Sequence, residues 1–100
     1  MTDRDSFAEK LKNKIDEWNS EIAQVEKKLE GASEHARIET EEKLAELRRY
    51  RDEARAKLSE IQEQSESQWE ETRGRAESAW SAISDGFSRA MDSLRGKGSK

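Results

Sequence analysis

From Phe7 to Leu29 the large apolar residues stand at Phe7, Leu11, Ile15, Trp18, Ile22, Val25 and Leu29, in steps of four, four, three, four, three and four. An α-helix turns once every 3.6 residues, so such steps keep all seven side chains on one face, whereas a strand requires steps of two. Lys10, Lys12, Lys14, Glu17, Glu21 and Lys28 fill the other directions. The periodicity decides between two states open to a 100-residue chain with 42% charged and 31% hydrophobic residues, since that composition suits long amphipathic helices and disorder alike. A disordered segment has no physical reason to hold helical phase. With no proline in the chain, nothing forbids long helices.

A second stripe runs through Leu47, Tyr50, Ala54, Leu58, Ile61, Ser65, Trp69, Thr72, Ala76, Trp80, Ile83, Phe87, Met91 and Leu94, stepping three, four, four throughout. Eleven residues in three turns average about 3.67 per turn, so this face runs nearly straight along a relaxed helix. Between the stripes, Gly31 and Ser33 suggest a helix stop and a new N-cap. The expected fold is all-α: an antiparallel hairpin of coiled-coil type, in one domain over residues 1–95, with a helix at 4–30, a turn at 30–33 and a long helix at 33–94. The phase held through Ser65 argues for continuity. Ser67 with Glu70 forms a capping-box pattern, and the alternative is a three-helix bundle with a break near Ser65. Exposed pairs of favoured polarity, such as Glu39 with Lys43 and Glu53 with Lys57, reinforce the helical reading. The end RGKGSK, Arg95 to Lys100, reads as a frayed basic tail.

Length then predicts a partner. A first helix of roughly 26 residues reaches about 39 Å and covers only half of a helix of about 60 residues. The remaining stripe holds two tryptophans and a phenylalanine, a face that water is not expected to cover. Self-association is the leading expectation, with Trp18, Leu47, Leu58, Ile61, Trp69, Trp80, Ile83, Phe87, Met91 and Leu94 at the interface. A membrane surface is the rival occupant. Eight of the twelve serines follow residue 64, and residues 65–100 carry six acids and six bases against 17 and 13 before them. Small polar residues beside bulky apolar ones suit insertion at lipid packing defects.

Chemistry has little to build on. There is no cysteine, and His35 is the only histidine, with Glu34 and Glu39 as its nearest carboxylates, too few ligands for zinc. Glu41 and Glu42, like Glu70 and Glu71, are neighbours on a helix and point about 100° apart, so they do not converge on a substrate. No glycine-rich phosphate loop or nucleophile-base pair is present. The expectation is no enzyme, catalytic residue, cofactor, metal or small-molecule substrate. A net charge of −4 argues against nucleic acid. Arg48, Arg49, Arg51 and Arg55, around Tyr50, read as a solvated face. The N-terminus lacks a secretory apolar stretch and no window reaches the length of a membrane span, so the expected address is cytoplasmic.

Three stretches, LKNKIDEWNSEI, ARIETEEKLAELRRYRDEARAKL and SESQWEETRGRAESAW, together resemble a family of small bacterial coiled-coil or stress-response proteins. Trp18, Trp69 and Trp80 are its more distinctive marks. The resemblance implies a structural or protective role without a defined activity. The eleven-residue step is similar, in period alone, to that of exchangeable apolipoproteins, which keeps lipid in view. The reading is a stress-associated, cytoplasmic coiled-coil scaffold, with peripheral membrane binding through the C-terminal helix as the alternative.

Overall fold

The computed structural model describes residues 3–98, with side chains placed through Arg95, and the described residues form three α-helices and no strand. They are α1 (Asp3–Leu29), α2 (Glu34–Glu63) and α3 (Glu66–Gly98). The all-helical class follows from the periodicity. The long second helix does not survive: it breaks at Gln64 and Ser65, as in the three-helix alternative.

Gln64 is extended (φ −77°, ψ 146°), and its N–H still bonds to the Ile61 carbonyl at 3.2 Å. Ser65 then caps α3 reciprocally. Its Oγ accepts from the Gln68 N–H at 3.2 Å, and its own N–H donates to Gln68 Oε1 at 2.9 Å. This is a capping box two residues ahead of the Ser67–Glu70 pattern, with glutamine at the third helical position. The stripe was read correctly even so. Of its fourteen members, Ser65 alone is exposed; the others are buried or half-buried. Phase continues across the joint because the helix on each side turns the same face toward one core. At the end of the chain, the expected tail is helical as far as Gly98, and Ser99 and Lys100 lie outside the described residues.

Contacts fix the topology. Arg4 reaches the Gln64 carbonyl, Arg51 reaches Asn19 and Arg48 reaches Glu26, so α1 and α2 run antiparallel. Asp3 meets Arg73, Phe7 meets Trp69, Trp18 meets Trp80 and Glu21 meets Arg95, so α1 and α3 run parallel. The result is an up-down-up rod 52 × 19 × 18 Å in extent. α2 packs closely on both neighbours, whereas α1 and α3 approach each other sparsely. The buried residues are all hydrophobic, from Leu11 and Leu47 at 0% exposure to Met91 at 9%. Ile38 is the one large hydrophobic residue left exposed among those described.

The α1–α2 turn needs no left-handed residue, since no described glycine has positive φ. Gly31 donates to the Lys28 carbonyl at 3.3 Å, in a tightened last turn, and Ser33 (φ −69°, ψ 163°) accepts from Ala36 N–H at 3.4 Å. The stop is therefore tight-turn geometry followed by the Ser33 cap, without the left-handed glycine that commonly ends a helix. A Cβ at Gly31 meets nothing within 4 Å. Gly31→Ala is expected to be neutral or stabilising by up to about 1 kcal/mol, and Ser33→Ala to cost about 0.5–1 kcal/mol. Urea unfolding followed by circular dichroism separates the two.

Gly74 and Gly86, both inside α3, differ from each other. Gly74 is exposed inside α3 with open space around it, so Gly74→Ala should stabilise by about 0.5–1 kcal/mol through helix propensity. Gly86 lies beneath the Tyr50 ring, where an added Cβ would overlap Tyr50 Cζ. Gly86→Ala has to push that ring aside and is expected to cost about 1–2 kcal/mol despite the same propensity gain. Thermal melts of the two variants should shift in opposite directions.

Candidate functional site

The seam between α1 and α3, whose backbones approach each other sparsely, is filled by aromatic rings. Trp18 lies face to face with Phe87 (centroids 4.2 Å apart, planes at 7°) and beside Trp80 (5.3 Å, 17°). One end of the seam carries Phe7 tilted on Trp69 at 5.2 Å. The Trp69 indole N–H donates to Asp3 Oδ2 at 3.0 Å, and Arg73 Nε sits 3.2 Å from the same oxygen. Rings of this size bridge two helices whose backbones stay apart, and stacked pairs add about 0.5–1.5 kcal/mol beyond burial. The separation leaves a groove of about 600 Å³ along the seam, lined by Phe7, Lys10, Arg73, Trp80, Ser81 and Ser84 among others. A second, of about 400 Å³, lies at the joint end beside Arg4, Glu66 and Trp69.

Of the residues expected at an interface between subunits, Trp18, Leu47, Ile61, Trp69, Trp80, Ile83, Phe87 and Met91 are buried in this chain's own core, and Leu58 and Leu94 pack half-buried against it. The break at Ser65 is the reason. It returns α3 onto α1 and α2, so the stripe needs no outside cover in this state. Trp80 is 7% exposed.

The arginine run is engaged within the chain. Arg48 pairs with Glu26, Arg49 lies 4.9 Å over the Tyr50 ring, Arg51 bonds Asp52 at 3.1 Å, and Arg55 reaches Asp52 at 4.0 Å. These groups are well hydrated, so each pair contributes at most a few tenths of a kcal/mol. On α2, Lys43 reaches Glu46 and Lys57 reaches Glu60, one turn ahead of the expected Glu39 and Glu53 pairings. His35, with its side chain 88% exposed, meets Glu39 at 3.8 Å, and no group of three or more potential metal ligands exists among the described residues. No described helix is long and apolar enough to cross a membrane.

Sequence reasoning missed the cluster at the joint. Asp3 and Arg4, in the first turn of α1, meet Trp69, Arg73 and Gln64 across 60 or more positions, and no local pattern announces that. The serine-to-glutamine spacing of Ser65 and Gln68 was legible as a capping pattern at the place where the break falls. Comparison of the chain with models of known protein families, with curated proteins and with solved structures gives no match.

Proposed function

We propose that the protein is a cytoplasmic, non-enzymatic scaffold element of the coiled-coil type that acts through helix–helix association with copies of itself. The supporting observation is the register of the aromatic seam. Trp18, Trp80 and Phe87 stack nearly parallel at fixed positions along two helices. Such register has value where one helix recognises another, because lipid tails impose none. The stress association rests on the resemblance of the three sequence stretches alone.

Peripheral lipid binding is the second reading, favoured by the sparse α1–α3 approach, which leaves a groove between α1 and α3 that borders the apolar face of α3. Sedimentation and circular dichroism with and without anionic vesicles test the pair. A scaffold stays helical, self-associates as concentration rises and remains with the soluble fraction. A chain that stays monomeric at every concentration and floats with vesicles overturns the scaffold reading in favour of lipid. Because Trp80 is a core residue, Trp80→Ser changes folding stability under either reading and does not discriminate between them.

A further inference from the structure

We propose that the α2–α3 joint is an exchange hinge, through which two copies of this chain trade α3 while α2 and α3 of each copy join into one helix. The inference rests on the self-association reading and names its interface and its control.

The joint is short and unstrained. It comprises Gln64 and Ser65, neither of which has positive φ, and no glycine or proline lies between Ile61 and Trp69. Each of those residues can adopt helical geometry. The apolar phase already continues through Ser65, so a joined helix presents one uninterrupted face from Leu47 to Leu94. That helix is about 65 residues and ~97 Å long. Straightening the joint carries α3 away from its own α1 and α2, and the face it uncovers matches one surface in detail: the α1–α2 face of a second copy. There the Trp18 stack, the Tyr50 ring over Gly86, and the Asp3–Arg73 and Glu21–Arg95 pairs all re-form. A lipid surface reproduces none of these pairings. Exchange of an identical element conserves the buried contacts, so the balance is set by the hinge and by concentration.

What holds the hinge closed is visible. The Ser65–Gln68 box and the bond from Thr72 Oγ1 to Gln64 Oε1 (2.8 Å) exist in the bent form. Arg4 donates to the Gln64 carbonyl, which a continuous helix would assign to the Gln68 N–H. Arg4, in the first turn of α1, is thus a latch on the joint.

The test uses the full chain, which has no native cysteine. Chains carrying only E21C and chains carrying only R95C are mixed, unfolded and refolded together across rising concentration. They are then treated with a short bismaleimide, and linked peptides are read by mass spectrometry beside sedimentation. A link between positions 21 and 95 can then arise only between chains. The expected result is that link in the dimer fraction. Gln64→Ala with Ser65→Ala removes the cap and raises helix propensity at the joint, and should raise the dimerisation constant about ten- to hundred-fold. Arg4→Ala should raise it less. Glu66→Pro places proline at the first helical position of α3, which the bent form accepts and a continuous helix does not, and should abolish the link while leaving the monomer's melt intact. A dimer without the link, or a link undiminished by Glu66→Pro, overturns the exchange and leaves self-association standing. Absence of any dimer in all variants overturns both.

Discussion

Trp18→Ala is expected to lower the stability of the bundle by about 3–5 kcal/mol and its melting temperature by roughly 15–30 °C. Trp18 is 5% exposed and stacks on Trp80 and Phe87 across the seam between α1 and α3, whose backbones approach each other sparsely. Removing the indole costs its transfer from water and also leaves a void between Trp80 and Phe87 that only partial relaxation of those rings can fill. A small domain has a total stability of about 5–15 kcal/mol, so a loss of this size leaves α3 poorly held or the whole chain unfolded. Trp18→Phe keeps most of the area and the stacking, and should retain the greater part of the stability. A double-mutant cycle of Trp18→Ala with Phe87→Leu should give a coupling of about 0.5–1.5 kcal/mol. A melting temperature for Trp18→Ala within a few degrees of the parent would mean that the seam does not hold α3 in place.

Leu47→Asp should be the most damaging single change considered. Leu47 is 0% exposed and sits on α2, the middle helix, which packs against both others. The substitution deletes a buried aliphatic side chain, at about 2–5 kcal/mol, and forces an unpaired carboxylate into a core with no buried polar partner. Together these exceed the stability margin of a domain this size, and the cooperative transition should vanish at neutral pH. Burial penalises the charged form and raises the folded-state pKa of the new carboxyl. The damage should therefore be greatest above that raised pKa and ease as pH falls from it toward the ordinary carboxylate range. Leu47→Met, of similar volume, should cost less than about 1.5 kcal/mol. Thermal and urea melts of both variants across pH provide the check. A cooperative Leu47→Asp transition at neutral pH near the parent midpoint would place Leu47 outside the core.

Local sequence determined the helical class and the identity of the apolar faces. Spacing of three and four acts within one helix turn, so the positions from Phe7 to Leu29 and from Leu47 to Leu94 could be named before any neighbour was known. Ser33 as a cap was legible for the same reason: its hydroxyl reaches a backbone N–H only three residues on. Whether α2 and α3 are one helix or two was a different kind of question. Ser65 to Gln68 encodes a cap, yet the same residues are acceptable inside a helix, and the two options differ locally by little more than a kcal/mol. Burial decided it. Bending at Gln64 returns Trp69, Trp80, Ile83, Phe87 and Met91 to α1 and α2 of the same chain, and each large side chain so buried contributes about 1.5–3 kcal/mol, which outweighs the local preference. The latch of Arg4 on the joint, the bond of Trp69 to Asp3, and the ring of Tyr50 over Gly86 likewise join residues far apart in the chain. Such pairings follow from how three stripes close around one another, and no window of sequence contains both partners.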